Sequence, residues 1–240
     1  MRNPCARLCA GAVRTTATTC LFLRAVGSCL RAHSPGSGSA ARVGAVAFIH
    51  RFGSTLNAHL HFHCVVIDGV FDAATTGRII FTAATVVDAN AIVQMQAQVR
   101  RRLLRVFVPR GLLPRDDARA MGQWQHRGGF SVDGSVRIEA EDRAGRKRLL
   151  RYCARPPFAL ERLRELDRKH LIYDRPKPGP VGSGPQLLTP LKLLDRIAAL
   201  VPPPRIRRHR YFGVLAPHSP LRACGHLRSG ARPEAPRHAC

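Results

Sequence analysis

Histidine occupies every second position of residues 59–63, where the sequence reads His-Leu-His-Phe-His. Side chains alternate between the two faces of a β-strand, so this spacing predicts a strand with all three imidazoles on one face. The apolar run continues to Ile67, and Asp68 and Gly69 form a tight-turn signal behind it. Burying three imidazoles together is costly unless hydrogen bonds or a metal ion satisfy them. Since neutral imidazole is a common metal ligand, the stretch predicts a metal site, with hydrogen-bonded structural histidines as the alternative.

The reach of a strand limits how many ligands it can supply. At a rise of about 3.3 Å per residue, His59 and His63 lie ~13 Å apart, so one ion cannot approach both of them and His61 as well. We therefore predict His61 and His63 as the metal ligands. His59 is left beside them, as a residue that supports a ligand, as a third ligand or as a DNA contact. The other candidates for a third ligand are His50, Asp68 and a carboxylate within residues 139–142.

Basic residues dominate the charge of the chain. Its 240 residues contain 39 Lys+Arg against 15 Asp+Glu, which gives a formal net charge of +24. A positive field of this size favours a polyanionic partner, and a nucleic-acid backbone is the obvious one. Nearly all of these basic residues are arginine, and GC-rich coding is an alternative origin of that bias.

Several classes of protein are excluded by composition and by missing motifs. A hydrophobic fraction of 45% excludes a wholly disordered chain. None of the eight cysteines belongs to a CxxC pair, so neither a zinc finger nor a disulfide framework is indicated. No apolar run approaches the ~20 residues of a membrane span. No P-loop motif occurs, so we expect no use of a nucleotide triphosphate.

Hydrophobic periodicity predicts an α+β fold with a mainly antiparallel sheet flanked by helices. The predicted strands are residues 45–50, a hairpin over residues 59–82 and a second hairpin over residues 130–138. The predicted helices run from an N-cap at Asp88 to a stop at residues 109–111, over residues 146–154 and over residues 189–200. Residues 1–67 contain no acidic residue, and no period of 2 or 3.6 is evident before Ala45. We therefore expect residues 1–35 to be disordered or non-native, residues 36–224 to form one domain and residues 225–240 to be a disordered tail.

The chain has three tyrosines, and their sequence surroundings differ. Tyr152 lies within a predicted helix with basic residues close by, so its side chain can contact a bound phosphate. The alternative is that Tyr152 packs in the core on the apolar face of an amphipathic helix. Tyr173 ends an apolar strand-like run and is predicted to pack in the core. Tyr211 follows a basic run, where DNA contact and core packing are equally consistent with the sequence.

Six segments together resemble a known family. They are residues 48–57, 61–63, 68–71, 128–132, 149–157 and 211–217. Residues 61–63 form a His-hydrophobic-His (HUH) motif. In this order the segments resemble the rolling-circle HUH transposases of the insertion sequence 91 family, over about residues 36–224 of the chain.

The resemblance implies a transposase that acts on single-stranded DNA at transposon ends and targets, in the cytoplasm of a bacterium at its nucleoid. In that family a helical tyrosine attacks a phosphodiester, which leaves a 5′-phosphotyrosine and a free 3′ hydroxyl, and the HUH pair holds Mg²⁺ or Mn²⁺. Carried over to this sequence, the resemblance makes Tyr152 the catalytic nucleophile and His61 and His63 the metal ligands. Local spacing adds the arginines predicted to bind DNA, because Arg148, Arg151 and Arg155 lie close to Tyr152 on or just after the predicted helix.

The sequence also departs from the family pattern. Many members carry two tyrosines four residues apart on the catalytic helix, whereas position 148 is arginine here, so the chain resembles a single-tyrosine variant. Members usually begin with a cysteine-rich zinc-binding region, and the cysteines of residues 1–35 lack the paired spacing for one. We therefore expect an N-terminally truncated or frame-disturbed gene product. A catalytically inactive DNA-binding remnant is the alternative function, and a histidine-rich metal-storage or structural protein is the third.

Overall fold

Helices alternate with antiparallel strands along the chain, which confirms the predicted α+β class. The computed structural model describes residues 12–53, 56–75, 77–124, 130–156, 160–174, 184–201 and 207–223. Its helices are α1 (Ala12–Ala32), α2 (Ala89–Phe107), α3 (Arg115–Gln123), α4 (Arg143–Ala154), α5 (Pro190–Leu200) and α6 (Pro220–Ala223), with a 3₁₀ turn at Leu160–Arg162. Its strands are β1 (Gly44–Phe52), β2 (Ala58–Val66), β3 (Gly69–Ala73), β4 (Ile79–Ala83), β5 (Leu163–Asp167), β6 (His170–Tyr173), β7 (Gln186–Leu188) and β8 (His209–Gly213).

A three-stranded antiparallel sheet in the order β2-β1-β8 carries the histidines. Strand β1 is central and buried along most of its length, as its apolar sequence predicts. The register places His61 of β2 opposite His50 of β1 and His63 opposite Phe48. Residues directly opposite each other in an antiparallel pair lie on the same face. The register therefore brings a histidine of β1 to the face that carries the HUH motif.

The hairpin predicted over residues 59–82 is wrong in its pairing. Strand β2 pairs with β1, whereas β3 pairs with β4 in a separate two-stranded sheet. The turn at residues 68 and 69 therefore sends the chain to a new partner instead of folding it back on β2. A side chain at Gly69 would collide with the carbonyl oxygen of Thr82 on β4, so the close approach of these two strands requires glycine.

The hairpin predicted over residues 130–138 is also wrong, because no part of it forms a strand. The backbone N–H of Val132 donates to the side chain of Gln96 on α2, at 3.2 Å, in place of a strand partner. The turn signal is real, since the Asp133 carboxylate accepts from the N–H of Ser135 at 2.9 Å. That local side-chain bond forms a turn without a sheet ladder.

Side-chain caps fix the starts of the predicted helices. The carboxylate of Asp88 accepts from the N–H of Ala91 at 2.8 Å, so α2 begins where the sequence predicted. Thr189 caps α5 in the same way. Helix α4 begins three residues earlier than predicted, at Arg143, because the Asp142 carboxylate accepts from the N–H of Gly145 at 2.7 Å.

Helix α1 was not predicted, and it corrects the disorder that was one of the two expectations for residues 12–32. Its buried side chains follow a helical stripe that consists of Thr19, Leu23, Val26 and Leu30. Helix α1 packs against α2 and β3, and Val26 and Leu30 join Val70, Val99 and Leu103 in the main hydrophobic core. A polar residue within the stripe and a glycine next to it obscured the period in the sequence.

No helix among the described residues is both long enough and apolar enough to cross a lipid bilayer. The tail predicted over residues 225–240 lies outside the described residues, as do residues 1–11.

Candidate metal and tyrosine site

Three histidines from two adjacent strands meet on one face of the central sheet. Each of His50, His61 and His63 offers a ring nitrogen, and these nitrogens all lie within 4.8 Å of one another. The ring centroid of His50 lies 5.1 Å from that of His61 and 4.6 Å from that of His63. The alternation of β2 supplies two of the rings, and the pairing of β2 with β1 supplies the third.

The proton on His50 is fixed by a helix carbonyl. The imidazole is buried, with 2% of its surface exposed, and its Nε2–H donates to the carbonyl oxygen of Cys153 at 2.6 Å. A carbonyl can only accept, so Nε2 carries the hydrogen and Nδ1 is left with a lone pair. That Nδ1 is buried and has no hydrogen-bond partner among the described residues.

The proton on His61 is fixed by a backbone carbonyl in a similar way. The Nδ1–H of His61 donates to the backbone carbonyl of His59 at 3.2 Å, which leaves its Nε2 with a lone pair. The Nε2 of His63 is buried without a partner in the described part of the chain. His59 itself is exposed, and its ring centroid lies 5.2 Å from that of His61, outside the group of three.

Burial keeps all three imidazoles neutral. Desolvation is the main cause that lowers the pKa of His50 and of His61. Desolvation also lowers the pKa of His63 to about 4, and the positive charge that His50 or His61 carries when protonated, together with that of Arg155, lowers it further. A neutral imidazole has the lone pair that a metal ion requires.

The residues present fit a divalent metal ion. Two buried ring nitrogens lack partners, and two of the three rings donate their other N–H to a backbone carbonyl, as histidine ligands in metal sites do. Among the third ligands that the sequence left open, the structure groups His50 with the pair. Asp68 instead forms an ion pair with Arg137 at 3.0 Å, and Asp142 caps α4. A donor set of imidazoles alone suits Mn²⁺ better than Mg²⁺, which prefers oxygen ligands.

Tyr152 lies beside this group on the last turn of α4. Its ring centroid is 5.3 Å from that of His63, in an edge-to-face arrangement, and 45% of its surface is exposed. The guanidinium carbon of Arg155 lies 4.5 Å from the centroid of the same ring. The structure therefore brings together three of the residues that the sequence singled out, namely Tyr152, His63 and Arg155.

The end of α4 explains why Cys153 has a free carbonyl. Residues 156 and 157 are both proline, and proline has no backbone N–H. The carbonyls of Tyr152 and Cys153 therefore lose the partners that a longer helix would provide. The N–H of Arg155 reaches the first of these carbonyls at 3.5 Å, and the imidazole of His50 reaches the second.

A family model with the description "Putative transposase" matches residues 44–222. The chain belongs to this transposase family. The matched range contains the three histidines, Tyr152 and the arginines of α4, and membership implies DNA as a partner of this transposase. No curated protein and no solved structure matches the chain.

The three arginines of α4 and its C-terminal end that were predicted to bind DNA differ in their surroundings. Arg148 lies on the exposed side of α4, where its guanidinium is 4.0 Å from the carboxylate of Asp142. Arg151 is exposed, whereas Arg155 is partly buried and its Nε has no partner among the described residues. The first two are therefore open to solvent, while the third is held over the tyrosine ring.

The two remaining tyrosines of the transposase differ in how far they are buried. Tyr173 is 2% exposed and packs with Leu188 and Leu193, which confirms the predicted core role. Tyr211 is 50% exposed on β8, so core packing does not explain it. Sequence reasoning could have found the role of His50 only by pairing residues 45–50 with residues 59–67, because the register puts it opposite His61.

Proposed function

We propose that this transposase nicks and transfers single-stranded DNA, with Tyr152 as the nucleophile and a divalent metal ion held by His50, His61 and His63. One observation carries the proposal. The ring centroid of the exposed Tyr152 lies 5.3 Å from that of His63. His63 belongs to a group of three imidazoles whose ring nitrogens lie within 4.8 Å of one another. An accessible phenol beside converging metal ligands is the arrangement that metal-assisted attack on a phosphodiester needs.

The reaction conserves the number of phosphate ester bonds. The phenolic oxygen of Tyr152 forms a bond to phosphorus while the bond from phosphorus to the 3′ oxygen breaks. Tyr152 gives up its proton, and the departing 3′ oxygen takes up a proton and becomes a hydroxyl. The product is a 5′-phosphotyrosine, and attack by a 3′ hydroxyl reverses the step to join strands. Because the ester bond is exchanged and not hydrolysed, no nucleotide triphosphate is required.

The metal ion would polarise the scissile phosphate and orient it for attack. The three imidazoles would hold it, and their nitrogen donor set favours Mn²⁺ over Mg²⁺. Arg155 stacks on the ring of Tyr152, where its positive charge would lie close to the phosphate oxygens of a bound substrate.

The rest of the DNA-binding surface follows from charge and from exposed rings. Arg148 and Arg151 are exposed on the tyrosine helix and can contact the phosphates on either side of the scissile one. The resemblance to HUH transposases and the exposed aromatic ring of Tyr152 favour an unpaired strand, because unpaired bases can stack on aromatic side chains. As the resemblance implies, we expect this activity at the nucleoid of a bacterial cell.

A covalent-adduct assay tests the proposal. The purified chain is incubated with a labelled single-stranded oligonucleotide and Mn²⁺, and the mixture is run on a denaturing gel. We expect a slower band that contains both protein and DNA and that disappears in Tyr152→Phe. Tyr211→Phe is the matched control, because that tyrosine is similarly exposed but lies on β8, and it should keep the adduct.

Two outcomes would overturn the proposal. An adduct that persists in Tyr152→Phe would mean that another residue is the nucleophile. If the unaltered chain binds the oligonucleotide but forms no adduct with Mn²⁺, Mg²⁺ or Zn²⁺, the chain is a catalytically inactive DNA-binding remnant.

A further inference from the structure

A second basic site lies away from the histidines. A cleft of about 690 Å³ opens between α1, α2, the segment 39–43 that precedes β1 and the end of β8, and Phe212 and Gly213 form part of its wall. Phe212 is paired with Ala45 of β1, so these two side chains lie on the same face of the sheet. His50 lies five residues after Ala45 on β1, and an odd separation along a strand puts it on the other face. Alternate residues of a strand point to opposite faces, so the cleft and the histidines lie on opposite faces of the central sheet.

Arginines from three parts of the chain line this cleft. Arg24 and Arg31 are seven residues apart on α1, with Gly27 and Ser28 between them, and this spacing places all four on one helical face. Arg42 precedes β1 and Arg102 belongs to α2. We call Arg24, Arg31, Arg42 and Arg102 the arginine cleft.

The charges of the arginine cleft are not neutralised within the described part of the chain. No Asp or Glu is among the described residues that line it. Arg31 is held in place, since its guanidinium donates to the carbonyl of Ala41 at 3.1 Å and to the hydroxyl of Ser28 at 3.4 Å. The side chains of Arg24, Arg42 and Arg102 make neither an ion pair nor a hydrogen bond with any described residue. Several unpaired guanidinium groups around one cleft repel each other, and an anionic ligand would relieve that repulsion.

We infer that the arginine cleft binds the phosphate backbone of single-stranded DNA at a distance from the metal site. Guanidinium groups match phosphate oxygens in pairs, and a transposase has DNA as its partner. Strand β8 runs between the two sites. Its residue Gly213 lines the cleft, and His209 at its other end is paired with Phe48 of β1, which is itself paired with His63 of β2. The strand spans ~13 Å between those ends at about 3.3 Å per residue. The idea that one DNA strand occupies both sites rests on the proposed function. Phosphate binding in the arginine cleft does not depend on it.

Two variants with the same loss of charge test this inference. The first is Arg24→Gln, Arg42→Gln and Arg102→Gln together, which spares Arg31 because its hydrogen bonds support α1. The second is Arg101→Gln, Arg105→Gln and Arg115→Gln, three exposed arginines outside the cleft. Binding of a fluorescent single-stranded oligonucleotide is measured across salt concentrations, and thermal unfolding followed by circular dichroism checks that both variants fold.

We expect the cleft variant to bind about tenfold more weakly at moderate salt and the control variant to bind within about threefold of the unaltered chain. Each phosphate contact with a single strand contributes about 0.7 to the salt slope, so the slope should fall by about 2 in the cleft variant alone. Equal weakening in both variants would show a general charge effect and overturn the inference, as would unchanged binding in the cleft variant.

A measurement on the unaltered chain covers the case in which the cleft variant does not fold. Phenylglyoxal modifies exposed arginines, and peptide mass mapping reads which ones the oligonucleotide protects. Protection of Arg24, Arg42 and Arg102 but not of Arg101 and Arg105 supports the inference, and the absence of that difference overturns it. Tripolyphosphate run in parallel separates the sources of phosphate, because protection by it at lower concentration than by DNA would overturn the assignment to DNA. Failure of the Tyr152 adduct leaves these readouts intact, so the two proposals fail separately.

Discussion

The Nε2–H of His50 donates a hydrogen bond of 2.6 Å to the carbonyl oxygen of Cys153, and it joins strand β1 to the end of α4. The bond has two effects. It leaves the Nδ1 of His50 as a lone-pair donor within the group of three imidazoles, and it holds the residue next to Tyr152 against the sheet. The two prolines that follow α4 make the bond possible, because they remove the N–H groups that would otherwise compete for this carbonyl.

Removal of one ligand should distinguish His50 from His59. We expect His50→Ala to weaken Mn²⁺ binding by about a hundredfold or more, since even residues that support a ligand often cost 10–100-fold. His59→Ala should change the affinity by less than about tenfold, because its contact with His61 is made by the backbone carbonyl. Isothermal titration calorimetry measures both. Equal losses in the two variants would contradict the assignment of His50 as the third ligand, and unchanged Mn²⁺ binding in His61→Ala would contradict the site itself.

Arg155 and Arg151 should have separable roles in the reaction. Arg155 lies over the ring of Tyr152, so Arg155→Gln should slow adduct formation by about tenfold even at saturating DNA. Arg151 is exposed, and Arg151→Gln should weaken DNA binding by less than about threefold without changing the rate at saturation. Single-turnover rates against oligonucleotide concentration separate the two effects. The same change of rate in both variants would argue against a special position for Arg155.

The metal-free chain should lose stability as the pH falls below about 6.5. Burial lowers the pKa of His63 to about 4 in the folded state, while the unfolded side chain has its ordinary value near 6.5. The unfolded state therefore binds the proton more tightly, so the stabilisation is complete above pH 6.5 and is lost as the pH falls toward 4. The contribution of His63 is at most about 3 kcal/mol. Urea unfolding in the presence of a chelator measures it, and a pH dependence that is unchanged in His63→Ala would contradict this cause.

The N-cap of the tyrosine helix should contribute measurably to stability. Asp142→Ala removes the carboxylate that accepts from the N–H of Gly145 and should lower the free energy of unfolding by about 1 kcal/mol. Asp142→Asn keeps a capping oxygen and should lose much less. Asp195→Ala is the control, because that aspartate is exposed within α5, and it should be nearly neutral. Urea unfolding compares all three, and a loss in Asp195→Ala as large as in Asp142→Ala would show that the cap is not the cause.

Local rules predicted the parts of the site that lie within one element. Period-two alternation predicted β2, the N-cap at Asp88 predicted the start of α2 and hydrophobic periodicity predicted α5, because each of these signals acts over a few residues. The place of His50 in the group depends on the register between two strands and on a bond to residue 153. The sequence therefore left it as one candidate among several.

The errors have specific physical causes. Helix α1 was missed because its buried stripe includes Thr19 and lies next to Gly27, which weakens the apolar period. The predicted second hairpin failed because the N–H of Val132 bonds to Gln96 instead of to a neighbouring strand. In both cases the structure depends on a distant part of the chain, because α1 packs against α2 and Val132 bonds to Gln96. Neither contact is visible from the local sequence.

The bond between His50 and Cys153 closes a loop of 103 residues. Contacts so distant along the chain are entropically costly to form and tend to form late in folding. A nascent or partly folded chain in which only β1 and β2 have paired would therefore present the three imidazoles before Cys153 orients His50 and without Tyr152 beside them. Formation of the covalent adduct proposed for Tyr152 should then report completed folding, because it requires the end of α4 to have docked on the sheet.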